Sequence, residues 1–169
     1  MRKKEQENKM KVDYTVLRRS YELYKEEYEE AVLRVMQSGW YILGPEMQSF
    51  EKEFAEYMGA KHCIAVNSGT DALILAFRAL GIGKGDEVIV PAGTYIASVM
   101  GITENGGTPV YVDSDEYLLM DANRIEEQIT EKTKAILPVH LYGQACRMDK
   151  IRELAEKYGL FLVEDCAQS

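Results

Sequence analysis

The sequence predicts an α/β fold in which a mostly parallel sheet carries helices on both faces. Short apolar runs without polar–apolar alternation recur from residue 63 onward, which is typical of strands buried on both sides. Segments with apolar side chains at helical spacing lie between these runs. Strands that alternate with helices in this way pair in parallel, because each helix carries the chain back to the starting edge of the sheet.

The first third of the chain is predicted to form two helices and no strand. Residues 16–37 carry Leu, Tyr, Val and Met side chains on roughly one face, with charged residues between them, and Ser38-Gly39 ends this helix. An apolar stretch follows, and Pro45 then begins a second amphipathic helix that ends at Gly59.

Five strands and four helices are predicted to alternate along the rest of the chain. The strands are placed at residues 63–66, 88–90, 110–112, 135–139 and 160–163. The helices between them are placed at residues 70–80, 95–104, 122–129 and 148–158, and Gly159 ends the last of these.

Charge and cysteine content narrow the class of protein. The chain has 169 residues, with 28 acidic and 20 basic side chains and a net charge of −8, which argues against binding to nucleic acid or to a membrane surface. No stretch approaches the ~20 apolar residues of a membrane-spanning helix. The three cysteines form no CxxC pair, so we expect free thiols and a cytoplasmic protein.

Residues that directly follow the predicted strands should meet at one edge of the sheet, where α/β proteins bind ligands. Ser68-Gly69-Thr70-Asp71 begins a helix directly after a strand, so its backbone amides favour a phosphate, although an ordinary helix cap has the same pattern. Tyr95 follows the second of the predicted strands named above and is either a ring that stacks on a flat ligand or a buried side chain that begins a helix.

Three further sites at this edge leave alternatives open. Asp165 follows an apolar strand, where a carboxylate needs a cationic or N–H partner, and it could also cap a helix. His140 is either an acid–base group, a ligand contact or a histidine satisfied within the fold. Asp113 and Asp115 could hold a divalent metal, but a turn rich in Asp is favoured and no further ligand has recognisable spacing, so we expect no metal site.

Five motifs together resemble a known family. The matching segments, in chain order, are Gly39–Glu46 (GWYILGPE), Asn67–Leu73 (NSGTDAL), Gly85–Pro91 (GDEVIVP) followed by Thr94-Tyr95, Pro138–Gln144 (PVHLYGQ) and Glu164–Gln168 (EDCAQ). The chain resembles the pyridoxal-phosphate-dependent sugar aminotransferases of the DegT/DnrJ/EryC1/StrS group, which have fold type I, from about residue 12 to residue 169. Each motif is weak alone, and their order and spacing carry the resemblance.

The resemblance implies a role for each motif residue. Gly69, Thr70 and Asp71 would hold the phosphate of pyridoxal 5′-phosphate, and Tyr95 would stack on its ring. Asp165 would pair with the protonated ring nitrogen, and Gln168 would reach the phenolic oxygen. Substrate-binding positions implied with less specificity are Tyr41, His140 and Tyr142.

The reaction implied is transamination in amino-sugar and polysaccharide biosynthesis. An amino donor such as glutamate would leave its amine on the cofactor, which would pass it to a nucleotide-linked keto-sugar. The segments WYILGPE and PVHLYGQ are most similar to members that aminate a 3-keto-6-deoxyhexose. Full-length members of the family act as homodimers, and Trp40–Pro45 is expected near the substrate entrance or the subunit interface.

One departure from the family pattern concerns the lysine that bonds covalently to the cofactor. In the family it lies downstream of the segment matched by Asp165–Gln168, and Lys84, Lys134 and Lys157 all lie at the opposite edge of the predicted sheet. We therefore expect residues 13–169 to be the N-terminal part of the large domain, truncated before the small domain. Residues 1–12 are expected to be a disordered leader. Such a chain would be inactive alone and would bind the cofactor weakly or not at all.

Two other functions remain open from the sequence. The chain could be a non-catalytic cofactor-binding or interaction protein that keeps the phosphate site. A more distant alternative is a metal-dependent nucleotide-sugar glycosyltransferase that uses Asp113 and Asp115.

Overall fold

The chain packs as two compact units. The sequence shows no linker between them. A computed structural model describes residues 13 and 15–169, so the predicted leader at residues 1–12 lies outside the described residues. The first unit ends at Ala65 and the second spans Val66–Ser169. No helix in the described part of the chain combines the length and apolar character needed to cross a membrane.

The first unit contains three helices. They are α1 (Leu17–Leu23), α2 (Lys25–Ser38) and α3 (Pro45–Met58). The predicted helix at residues 16–37 is thus broken at Tyr24, whose φ of −120° and ψ of 28° are not helical. Gly39 and Gly59 take left-handed φ angles of 66° and 65° and end α2 and α3 as predicted, because glycine has no Cβ to oppose that conformation.

The second unit is a parallel sheet with alternating helices. Its strands are β1 (Glu87–Pro91), β2 (Thr108–Val112), β3 (Thr133–Ile136) and β4 (Phe161–Leu162), and its helices are α4 (Gly69–Ala79), α5 (Ile96–Thr103) and α6 (Met148–Tyr158). The strand order is β2-β1-β3-β4, and each neighbouring pair is parallel.

Helices cover both faces of this sheet, which confirms the predicted fold class. Val88 and Val90 of β1 pack with α4 and α5 in one apolar cluster. Ile89, between them, points to the opposite face and packs in a second cluster with residues of α6. Successive residues of a strand face opposite sides, so a strand that is apolar throughout supplies both clusters.

Two predicted elements do not form as expected, and in each segment a carboxylate accepts a backbone N–H. Residues 63–66 form no strand, and the N–H of Ala65 donates to the Glu51 carboxylate at 2.7 Å instead of to a neighbouring strand. The helix predicted at residues 122–129 is reduced to a 3-10 turn at Glu126–Gln128. Asp121 accepts the N–H of Asn123 at 3.0 Å, a local turn that competes with helix formation.

The close approach of α4 and α5 gives a stability prediction at Gly101. A Cβ added to Gly101 would lie 2.8 Å from Cβ of Leu73, whereas one added to Gly83 would meet no atom nearer than 3.8 Å. We expect Gly101→Ala to lower the free energy of unfolding by about 1–3 kcal/mol, because a methyl group overpacks the interface between the helices. Gly83→Ala is the matched control, with a change within about 0.5 kcal/mol. Urea unfolding of the two variants measures the difference, and equal stability would contradict the tight helix contact.

Candidate functional site

A recess lies at the carboxyl edge of the sheet, where the first turns of α4 and α5 meet the residues that follow β3 and β4. Its volume is about 230 Å³. We call it the rim recess; it is lined by Gly69, Thr70, Leu73, Thr94, Tyr95, Ala97, Val139, Leu141, Asp165, Ala167 and Gln168. Five of the six residues predicted to bind a cofactor are on this wall, and Asp71 is not.

The first turn of α4 presents backbone amides to the rim recess. Ser68 is the N-cap, and its Oγ accepts the N–H of Asp71 at 3.1 Å. The N–H of Ala72 donates to the Ser68 carbonyl at 2.9 Å as the first regular helical bond. Since the first N–H groups of a helix have no acceptor within it, those of Gly69 and Thr70 are left for a ligand, at the end of the helix where its dipole favours an anion.

Asp71 closes this cap and does not line the recess. Its Oδ2 accepts from the Asn67 amide at 2.8 Å and from the Ser68 hydroxyl at 2.9 Å. These hydrogen bonds, that of Asn67 first, lower the pKa of the Asp71 carboxyl and keep it ionised. Ser68 and Asp71 therefore hold the conformation in which Gly69 and Thr70 face outward.

Tyr95 and Asp165 approach the recess from two different elements. Tyr95 is the N-cap residue of α5 and is 73% exposed, so it is not the buried tyrosine that the sequence left open. Asp165 is half-buried, and its backbone forms a parallel bridge with Val139. Its Oδ2 accepts from the Ser98 hydroxyl at 2.9 Å, and its Oδ1 accepts from the N–H of Ala167 at 3.1 Å.

Gln168 is held by a strained turn. Tyr142 has a left-handed φ of 57°, and its N–H donates to Oε1 of Gln168 at 2.7 Å. Because Oε1 takes this N–H, the side-chain nitrogen of Gln168 remains as a donor. A second recess of about 450 Å³ shares four wall residues with the first and adds Tyr142. The shared residues are Thr94, Tyr95, Leu141 and Gln168.

His140 is satisfied within the fold and does not line either recess. Only 5% of it is exposed. Its Nδ1 accepts the N–H of Cys146 at 3.2 Å, so Nε2 carries the ring proton and donates it to Glu164 at 3.1 Å. Burial raises the pKa of the Cys146 thiol, which donates to the Val139 carbonyl at 3.2 Å.

Tyr41 belongs to the first unit. It lies in the exposed loop between α2 and α3, where its hydroxyl donates to the carbonyl of Met36 at 3.2 Å. The indole N–H of Trp40 donates to the carbonyl of Ile42 at 2.8 Å and holds this loop. These contacts hold the loop within the first unit, and its placement near a substrate stays a prediction.

Sequence reasoning missed Ser98, whose hydroxyl contacts Asp165, and assigned no role to Thr94, which stands in the third motif. The hydroxyl oxygens of Ser98 and Thr94 lie 2.9 Å apart. Ser98 lies three residues after Tyr95, a spacing that places both on one side of the predicted helix but does not show which side meets the end of the sheet. The acidic turn at Asp113 and Asp115 uses a carboxylate to hold its own backbone, because Oδ1 of Asp115 accepts the N–H groups of Tyr117 and Leu119. Among the residues the structure describes, no group of three or more His, Cys, Asp or Glu side chains is arranged to hold a metal.

Comparison with known proteins decides the family. The model of the DegT/DnrJ/EryC1/StrS aminotransferase family matches residues 22–169. The chain belongs to this family. It is 55% identical over 147 residues to a dTDP-3-amino-3,6-dideoxy-α-D-galactopyranose transaminase of Aneurinibacillus thermoaerophilus, covering 86% of this chain and 40% of that protein. It is 50% identical over 160 residues to a dTDP-3-amino-3,4,6-trideoxy-α-D-glucose transaminase of Streptomyces venezuelae, covering 94% of this chain and 42% of that protein.

Two solved structures have the same fold as this chain. An X-ray structure of DesV from S. venezuelae, in complex with a ketimine intermediate, superposes with a TM-score of 0.90 at 50% identity, over 94% of this chain and 43% of that one. A crystal structure of ntda from Bacillus subtilis with bound cofactor PMP gives a TM-score of 0.81 at 40% identity, over 85% of this chain and 33% of that one. The chain spans about two fifths of the length of the curated relatives described above.

Proposed function

We propose that this chain forms the pyridoxal-phosphate site of an aminotransferase that acts on a nucleotide-linked keto-sugar. The observation that carries the proposal is the rim recess, where amides at a helix start, an exposed aromatic ring and a carboxylate lie on one wall. The aminotransferases of the family depend on pyridoxal phosphate, and the relatives named above are transaminases of dTDP-sugars.

The donor set of the recess fits this cofactor. The amides of Gly69 and Thr70, together with the Thr70 hydroxyl, suit a phosphate dianion at the start of α4. The exposed ring of Tyr95 offers a face to an aromatic heterocycle. Asp165 is the carboxylate on the wall, and it suits a protonated ring nitrogen.

The cofactor supplies an electron sink when it is bound. Asp165 holds the proton on the ring nitrogen, which keeps the ring cationic. The side-chain nitrogen of Gln168 donates to the phenolic oxygen, since its Oε1 is already taken by the N–H of Tyr142. Asp71 acts behind the phosphate by fixing the Ser68 cap, and buried His140 shapes the turn that carries Tyr142.

The finer features of the proposal concern substrate and assembly. The amino acceptor is a 3-keto-6-deoxyhexose nucleotide, in line with the dTDP-3-amino-deoxysugar names of the two relatives, and the amino donor is an amino acid such as glutamate. Tyr41 and Tyr142 contact the sugar nucleotide, and the complete protein is a cytoplasmic homodimer that serves polysaccharide biosynthesis.

The 169-residue polypeptide alone is proposed to carry out no transamination. Among the residues that the structure describes, no lysine lines the rim recess or the second recess. Lys157 donates to the Glu126 carboxylate at 2.6 Å, and that contact raises its pKa. The same observation favours the second candidate function, a cofactor-binding or interaction protein without catalysis. Multiple turnovers by this polypeptide with glutamate and a keto-sugar nucleotide would contradict both.

Two measurements test the proposed function. Pyridoxamine 5′-phosphate needs no covalent bond to lysine. We expect a titration of pyridoxamine 5′-phosphate into this chain, followed by the fluorescence of the ligand, to show weak, saturable binding. Inorganic phosphate should displace the bound ligand. A chimera in which residues 22–169 replace the matching segment of the A. thermoaerophilus transaminase should aminate a dTDP-linked 3-keto-6-deoxyhexose. A folded chimera without turnover, together with no binding of pyridoxamine phosphate to this chain, would overturn the proposal. If the chain is a binding protein alone, it should bind pyridoxamine phosphate while the folded chimera shows no turnover.

A further inference from the structure

We infer that Ser98 is a positioning residue that fixes the Asp165 carboxylate against the ring nitrogen of the bound cofactor. The inference rests on the proposed function and adds a residue that the five sequence motifs do not contain. Ser98 is almost fully buried, at 1% exposure, and does not line the rim recess. It therefore acts through Asp165 and does not touch the cofactor.

The carboxylate of Asp165 is held at both oxygens before any ligand is present. The Ser98 hydroxyl donates to Oδ2 at 2.9 Å, and the N–H of Ala167 donates to Oδ1 at 3.1 Å. The backbone is held as well, since the N–H of Asp165 donates to the Pro138 carbonyl at 3.0 Å and its carbonyl accepts from the N–H of His140 at 3.1 Å. Each carboxylate oxygen can accept more than one hydrogen bond, so capacity remains for a ring N–H.

The direction of the hydrogen-bond chain follows from counting protons. An ionised carboxylate only accepts, so the single hydroxyl proton of Ser98 points to Asp165. The contact of 2.9 Å between Ser98 Oγ and Thr94 Oγ1 must then be donated by Thr94. The order is Thr94 to Ser98 to Asp165, and each donation strengthens the next in a buried chain.

Ser98 links the two residues that are proposed to contact the cofactor ring, Tyr95 and Asp165. Tyr95 is the N-cap residue of α5, and the N–H of Ser98 donates to the Tyr95 carbonyl at 3.1 Å. One helical turn therefore carries both the residue that faces the ring and the hydroxyl that orients the carboxylate. A carboxylate fixed in advance pairs with the ring nitrogen without losing rotamer freedom on binding.

The test follows the protonation of the ring nitrogen in bound pyridoxamine 5′-phosphate. The probe is labelled with ¹⁵N in the ring, and its chemical shift is recorded against pH with the wild-type chain and with Ser98→Ala, Ser98→Thr and Thr94→Val. Among the described residues, Asp165 and Tyr95 are the titratable side chains on the wall of the recess. A well-oriented Asp165 raises the titration midpoint of the ring nitrogen above that of the free probe.

Ser98→Ala should lower this midpoint by about one pH unit and weaken binding about tenfold, which corresponds to the loss of one hydrogen bond to a charged group. Ser98→Thr, which keeps the hydroxyl, should restore both, and Thr94→Val should give a smaller shift in the same direction. Circular dichroism of each variant confirms that the fold is kept. An unchanged midpoint in Ser98→Ala, with the wild-type chain binding the probe, would overturn the inference. If the wild-type chain does not bind the probe, the same variants are compared in the chimera that carries residues 22–169, and an unchanged midpoint there overturns the inference. A folded chimera that also fails to bind the probe would instead overturn the proposed cofactor site, and the inference with it.

Discussion

Asp165→Asn weakens the binding of pyridoxamine 5′-phosphate to this chain by roughly 30-fold, the largest effect expected of any single change in the site. Asparagine has nearly the same shape, but its single amide oxygen can replace only one of the two Asp165 oxygens that accept from Ser98 and from the N–H of Ala167. It also lacks the negative charge opposite the protonated ring nitrogen. A hydrogen bond to a charged group contributes about 1.5–3 kcal/mol, and the half-buried position of Asp165 keeps the effect within that range.

Glu164→Gln is the matched control for this prediction. Glu164 is the adjacent residue, but its carboxylate contacts Nε2 of His140 at 3.1 Å and lies 3.5 Å from the guanidinium of Arg152. Glu164→Gln removes one negative charge from the chain, as Asp165→Asn does, but it does not change the wall of the rim recess. The affinity for pyridoxamine phosphate should therefore stay within about twofold of the wild-type value. Fluorescence titration measures both variants. Equal losses in the two variants would show that overall charge, and not the position of Asp165, governs binding.

The residues of the rim recess were predictable because they obey a rule of topology. In a parallel sheet all strands end at one edge, so Gly69, Tyr95 and Asp165, which follow different apolar segments, could be expected together from chain order alone. The motif resemblance then added Gln168. The structure brings all four onto one wall.

Ser98 was not predictable in the same way, because its partner is distant in the sequence. It lies 67 residues before Asp165, and nothing in the local sequence shows which side of α5 meets the end of the sheet. The missing strand at residues 63–66 has a similar cause. An apolar segment becomes a strand only where a neighbour accepts its hydrogen bonds, and the N–H of Ala65 instead donates to Glu51.

The helix expected at residues 122–129 failed for a local reason that the sequence did contain. Asp121 precedes the segment, and its carboxylate accepts the N–H and the side-chain amide of Asn123 at 3.0 Å each. An Asp followed two residues later by Asn favours a turn as readily as a helix start. Ile125 is nevertheless fully buried, so the apolar pattern marked the core correctly while the backbone took another shape.

Phe77→Ala is expected to have the largest effect on stability. Phe77 lies in α4 with no exposed surface, in the apolar cluster between α4, α5 and the sheet. Truncation leaves a cavity beside Val88 and Ile102, which also have no exposed surface. Because an aromatic side chain removed from a core typically costs about 3–5 kcal/mol, the variant should lose that much free energy of unfolding in urea. That is a large part of the roughly 5–15 kcal/mol that stabilises a domain.

The same change should also weaken cofactor binding, because α4 carries both the cluster and the amides of the rim recess. Phe77 lies two turns after Gly69 and Thr70, so a loosened helix presents those amides less firmly to a phosphate. Leu75→Ala, on the same helix at 46% exposure, is the control and should cost less than about 1 kcal/mol. If Phe77→Ala cost no more than Leu75→Ala, the packing of α4 against the sheet would not be what holds the phosphate-binding turn in place.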